Sequence, residues 1–110
     1  MDEKYIYSLH ADVCKALGNP LRIEAIEILR HGELCFSDIL EKVGGLKSTL
    51  SQNLSVMVHA GILKVRKDSR CNYYSLTSPK VYKACQLMRE VLIYNLEKQN
   101  TILSKIKSEL

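Results

Sequence analysis

From Lys80 to Leu110 the chain runs without a glycine or a proline, and that run limits what the rest can build. Thr77-Ser78-Pro79 stands before it, a hydroxyl able to cap and a proline suited to a first helical turn. One long helix is therefore predicted from about residue 78. Its apolar positions (Val81, Cys85, Met88, Val91, Leu92, Leu96, Ile102, Leu103 and Ile106) run the whole length. The remainder of a 110-residue chain cannot cover so long a stripe, so a second copy of the chain is the natural cover. Asn95 and Gln99 lie in or near the stripe, either fixing its register or marking where it meets water. The tail from Glu97 onward either lengthens the seam or frays.

The preceding residues are punctuated into shorter elements. Ile6, Leu9, Val13, Ala16 and Leu17 recur at helical spacing and end at Gly18. Asn19-Pro20 is a second cap-and-proline start, followed by Leu21, Ile23, Ala25, Ile26, Ile28 and Leu29 up to His31-Gly32. A short third helix is expected over Phe36 to Val43, closed by Gly44-Gly45. A fourth begins near Lys47 or Ser48 with Leu50, Leu54, Met57 and Val58 inward, capped by Ser48 or Thr49, and ends at Gly61. Ile62 to Arg66 alternates as a strand, Lys67 to Arg70 turns, and Asn72 to Leu76 returns. The expected fold is mainly α with a small β-hairpin, a winged helix-turn-helix in a single domain over residues 1–110.

Charge singles out one part of this layout. Between Leu46 and Leu76, Lys47, Lys64, Arg66, Lys67 and Arg70 face Asp68 alone, while the formal net charge of the whole chain is +4. The outer face of the fourth helix is Lys47, Ser48, Thr49, Ser51, Gln52, Asn53 and Ser55, a run of mediocre helix formers. Short donors and acceptors are what a helix needs to approach base edges closely. A basic excess on a helix and the hairpin after it suits a surface that lies on phosphates. Charge by itself favours a solvated face; the order of elements shifts the balance to double-stranded DNA.

Other classes find less support. No apolar run approaches the roughly 20 residues of a membrane span. MDEKYIYSLHADV lacks a signal peptide's basic start and apolar middle, so a cytoplasmic protein is expected. Cys14, Cys35, Cys71 and Cys85 form no CxxC pair, and reduced thiols are expected. No Ser-His-Asp or Cys-His arrangement, phosphate-cradling loop or carboxylate pair can be assembled, so an enzyme is not expected.

Three stretches carry a family likeness. Ala16-Leu17-Gly18-Asn19-Pro20-Leu21-Arg22 resembles the ALxxPxR opening of the second helix in ArsR/SmtB winged-helix repressors. Ser48-Thr49-Leu50-Ser51-Gln52-Asn53-Leu54, with Ala60-Gly61-Ile62-Leu63 after it, is similar to that family's recognition helix and exit. Arg70-Cys71-Asn72-Tyr73-Tyr74-Ser75-Leu76 resembles its returning wing strand. The resemblance spans roughly Ala11 to Leu92. It implies a homodimer through the first and last helices, binding an inverted-repeat operator as a repressor. Lys47, Ser48, Thr49, Ser51 and Gln52 are then candidates for base edges and nearby phosphates. Asn53 stands where the family often has His, which leaves its partner open, and Arg66, Lys67 and Arg70 are candidates for backbone phosphate or minor groove.

The resemblance also raises the question of an inducer. Glu33-Leu34-Cys35-Phe36-Ser37-Asp38-Ile39 is similar to the family's ELCxCDL metal-sensing segment, with Ser37 in place of the second cysteine. A soft metal ion or a trivalent metalloid wants two or three thiolates, so Cys35 is an incomplete site. Cys14 is the candidate to complete it, from another helix or another subunit; its alternative, and favoured, reading is core packing. The family's last-helix zinc site is expected to be absent, because that helix holds neither His nor Asp. Cys85 reads as interface packing and Cys71 as an exposed thiol near the wing tip. The competing reading of the whole chain is a winged-helix module that docks a protein partner without specific DNA binding.

Overall fold

The computed structural model describes residues 3–109, and its elements follow the punctuation of the sequence. Helix α1 spans Tyr5–Leu17 and stops at Gly18. Asn19 caps α2 (Pro20–Leu29): its Oδ1 accepts from the backbone N–H groups of Leu21 at 2.9 Å and Arg22 at 3.3 Å. Pro20 has no N–H to satisfy there. Strand β1 (Leu34–Cys35) leads directly into α3 (Phe36–Val43). Gly44 and Gly45, with φ of +73° and +82°, turn the chain into α4 (Lys47–His59). Two successive left-handed residues make that turn sharp, and glycine alone adopts them without steric cost. Strands β2 (Leu63–Lys67) and β3 (Asn72–Leu76) form the hairpin. Helix α5 (Pro79–Glu109) follows, with Ser78 Oγ accepting from the Lys80 N–H at 3.1 Å.

The sheet has three strands among the described residues rather than the expected two, because β1 pairs antiparallel with β3 on the side away from β2. A two-residue strand has no periodicity to read. The register puts Tyr74 between Leu34 and Val65, and Tyr73 between Cys35 and Arg66. Helix α4 starts at Lys47, as expected, but its cap is a second correction: Leu46 occupies the cap position and no side chain bonds to the first turn. Ser48 and Thr49 lie inside the helix, so neither acts as the cap.

The core lies between α2, α3, α4 and the strands. Ile26, Leu29, Ile39, Leu50, Leu54, Met57, Ile62 and Leu63 are each at most 2 % exposed. Burying a side chain of this size contributes roughly 1.5–3 kcal/mol. Leu50, Leu54 and Met57 thus fix α4 by one stripe and leave its opposite face free. Helix α1 adds only Ala16 to the buried set, and α5 adds none; Val81, Tyr82 and Cys85 pack against the edge. Cys14, favoured as a core position, is exposed. It lies on a helix whose apolar stripe the chain's own core does not cover. Among the described residues, the large apolar side chains left exposed are all on α1 and α5 except Ile23 and Leu46. No described helix is long and apolar enough to cross a membrane.

Candidate nucleic-acid interface

With its inner stripe buried, α4 presents Lys47, Ser48, Thr49, Ser51 and Gln52 to solvent. The uncapped first turn adds unpaired N–H groups and the positive end of the helix dipole beside Lys47. Across from it stands the hairpin tip, a Ser69-Arg70 turn closed by the Asp68 N–H to Cys71 C=O bond at 3.0 Å. A cleft of about 590 Å³ separates the two, lined by Lys47 and Ser51 on the helix side and by Arg70 and Asn72 on the wing side. Cys35, Phe36 and Ser37, at the start of α3, are among the residues lining it. Asp68, the one acid in this stretch, turns its Oδ1 to the Ser69 N–H at 2.6 Å. Lys64, Lys67 and Arg70 are exposed.

Two of the residues expected on the DNA surface have other partners. Asn53 is half-buried: its Oδ1 accepts from Arg22 Nε at 2.8 Å, and its Nδ2 donates to the Thr49 carbonyl at 2.9 Å. Arg22 also donates to the Ala16 carbonyl at 3.4 Å. Asn53 therefore ties α4 to α2 and to the end of α1. Arg66 donates through Nη2 and Nε to both oxygens of Glu33, at 2.7 and 3.2 Å, with its guanidinium 4.4 Å from the centre of the Tyr73 ring. The hydrogen bond from Arg66 holds the Glu33 carboxyl below its usual range, and the same bond raises Arg66. This fork latches the wing to the segment before β1. Sequence reasoning missed Arg22 and Glu33 as functional neighbours; only the Arg in the ALxxPxR-like opening carried any signal.

The four cysteines sort into two pairs. Cys35 Sγ lies 3.2 Å from Ser37 Oγ and donates to Asp38 Oδ2 at 3.1 Å, and Cys71 lines the same cleft. Cys14 and Cys85 instead line an apolar groove of about 460 Å³ between α1 and α5, with Leu17, Ile23, Met88 and Leu92. Burial pushes the Cys85 thiol up, against a smaller opposing pull from Arg89. Within one chain, Cys35 thus shares its cleft with Cys71 and not with Cys14. No group of three or more His, Cys, Asp or Glu side chains among the described residues is arranged to hold a metal ion.

Comparison with known proteins agrees with the winged helix-turn-helix fold. The family model described as bacterial regulatory protein, arsR family, matches residues 19–65. The uncharacterized HTH-type transcriptional regulator Rv0081 of Mycobacterium tuberculosis is 29% identical over 109 residues, covering 98% of this chain and 96% of that one. Its crystal structure superimposes with a TM-score of 0.77 at 32% identity, over 86% of this chain and 95% of that chain. A homolog of the cadmium resistance regulatory protein CadC from Staphylococcus aureus is 32% identical over 88 residues, 79% of this chain and 70% of that protein. The solution structure of the homodimeric winged helix-turn-helix domain of Mb0332 from Mycobacterium bovis gives a TM-score of 0.78 at 25% identity, covering 89% and 93% of the two chains.

Proposed function

The chain belongs to the ArsR family of bacterial regulatory proteins, and from that premise we propose that it is a transcriptional repressor binding an inverted-repeat DNA operator as a homodimer. One observation carries the reading: an exposed α4 face of polar side chains stands across an open cleft from a cationic hairpin tip. A duplex lying over this face meets α4 in its major groove and the wing on the flanking backbone. Ser48, Thr49, Ser51 and Gln52 reach base edges, with Gln52 able to bond adenine through both ends of its amide. Lys47 and the open first turn of α4 take a phosphate. Lys67 and Arg70 grip the backbone beside the wing and supply affinity more than sequence choice. Asn53 and Arg66 act from behind, by holding α4 and the wing at their angles.

Dimerisation through α1 and α5 is supported by the apolar side chains those helices leave exposed. A two-fold dimer sets its recognition helices about 34 Å apart, one turn of duplex. Residues 1–110 then act as a single winged-helix DNA-binding domain, with the long last helix from about residue 78 as its seam. The name of the cadmium-resistance relative raises metal sensing, but the donors here do not suit it. Ser37 stands where a second thiolate is needed, and no three-donor group is present among the described residues.

The test is selection of a duplex from a random pool, followed by fluorescence titration at several salt concentrations. A preferred symmetric site is expected, with log K falling steeply against log salt as each neutralised phosphate releases about one counterion. Binding indifferent to sequence and to salt overturns the reading and favours a protein-docking module.

A further inference from the structure

We propose that Cys35 and Cys71 form a two-thiol modification site inside the DNA cleft, closed to an intramolecular disulfide by a small anionic disulfide such as oxidised glutathione. The inference rests on the DNA-binding reading above and adds its regulation. Both residues line the cleft between α4 and the wing, together with Lys47, Ser51 and Arg70. They come from different elements: Cys35 ends β1 at the entrance to α3, and Cys71 closes the hairpin tip. Two sulfurs are too few for a tetrahedral metal site and enough for a disulfide.

The pairing of β1 with β3 brings the two segments that carry them together. Cys35 pairs with Tyr73, and Cys71 lies two residues before Tyr73 on the same chain. A disulfide wants Cα atoms about 4.4–6.8 Å apart. Closing the bond to that spacing holds the hairpin tip against the start of α3, and Arg70, adjacent to Cys71, is held with it. The turn itself, Asp68 to Arg70, is exposed and lies beyond the Arg66–Glu33 fork that fixes the strands behind it.

The chemistry balances. One thiolate attacks a sulfur of the glutathione disulfide and expels a glutathione thiolate, leaving a mixed disulfide in the cleft. The other cysteine attacks the protein sulfur of that bond and expels the second glutathione. The two cysteines together lose two protons and two electrons, and one oxidised glutathione becomes two reduced ones. The mixed disulfide places a carboxylate-bearing group between Lys47 and Arg70, and the final bond narrows the space a phosphate would enter. Either product competes with DNA directly, without passing through the dimer seam.

The experiment treats the full chain with oxidised glutathione and maps it by non-reducing tryptic mass spectrometry, with DNA affinity measured in parallel. Expected is a linked pair of peptides, one holding Cys35 and the other Cys71, two hydrogens lighter than their sum. Affinity for the selected duplex should fall at least tenfold and return with dithiothreitol. Cys35→Ser and Cys71→Ser, each compared with its own reduced form, should stop at a glutathione adduct on the remaining cysteine of the pair, with no linked peptides. Linkage of Cys14 to Cys85 alone, or a Cys35–Cys71 bond that leaves affinity unchanged, overturns the proposal. So does an equal loss of affinity in the Cys35→Ser/Cys71→Ser double variant. Failure of the reduced protein to bind any duplex sinks the repressor reading instead, while the mass map still reports on the thiol pair.

Discussion

Asn53→Ala separates a residue that reads DNA from one that holds the reader in place. The substitution removes the acceptor of Arg22 Nε at 2.8 Å and the donor to the Thr49 carbonyl at 2.9 Å. A hydrogen bond to a charged group contributes about 1.5–3 kcal/mol when protected and a neutral one about 1 kcal/mol. Both are discounted here, because Asn53 is only half-buried and Arg22 can turn toward water. Alanine returns up to about 0.7 kcal/mol of helix propensity. The expected net loss is about 1–2 kcal/mol, a fall in Tm of roughly 5–10 °C for a domain of this size. Urea and thermal unfolding at one fixed chain concentration measure it, since a dimer's apparent stability depends on concentration. DNA affinity should fall equally on the selected operator and on random duplex, because α4 loses its tie to α2 rather than a base contact. Asn53→Asp keeps an acceptor for Arg22 and should retain most of the stability. Unchanged stability of Asn53→Ala with a loss confined to the operator would refute this reasoning and return Asn53 to the base-reading set.

Gln52→Ala should show the opposite pattern, costing ~1–3 kcal/mol on the operator and little on random DNA in the same titration. The Arg66–Glu33 fork should respond to acid. The Glu33 carboxyl is held low by Arg66, and less strongly by Lys64, so the fork is complete above the ordinary Glu value near 4.3 and is lost as pH falls through the depressed folded value. Titrating the Arg66 Nε–H signal by NMR should show a transition below that ordinary value, absent in Glu33→Gln. Gly44→Ala should destabilise the fold by about 1 kcal/mol or more from backbone strain alone, since nothing lies within 4 Å of the added Cβ. Equilibrium unfolding that leaves this variant as stable as the parent would contradict it.

How far the sequence could be read depended on how local each cause was. The limits of α3 and α4 were visible because an apolar period ends at paired glycines, and the hairpin because Ile62 to Arg66 alternates. Strand β1 was invisible: Leu34-Cys35 is a strand only because Tyr73 and Tyr74 lie beside it. The basic excess between Leu46 and Leu76 located the candidate interface but could not say which cations are free. Arg66 is occupied by Glu33, 33 residues away, and Asn53 by Arg22, 31 residues away. Pairings at such separations leave no mark in a local pattern. The cysteines repeat the lesson. Cys35 and Cys71 share a cleft because of strand register, and Cys14 is exposed because an apolar stripe does not disclose which surface covers it.

The long-range ties also explain why α2, which contributes nothing to the exposed polar face, governs where that face points. At one end Arg22 holds Asn53 of α4 and the carbonyl of Ala16 in α1. At the other, Glu27 meets Arg30 at 3.2 Å and Arg89 of α5 at 3.5 Å, and Arg30 donates to the Tyr82 hydroxyl of α5 at 2.7 Å. Exposed ion pairs of this kind contribute little stability individually. Their value is geometric: the proposed dimer seam on α5 and the proposed reading face on α4 are both referred to one short helix, itself set by Ala25, Ile26 and Leu29 in the core. Spacing between two recognition helices in a dimer is then decided by α2 packing as much as by the seam. A change at Tyr82 or Arg89 can alter half-site spacing without touching a single DNA-facing residue.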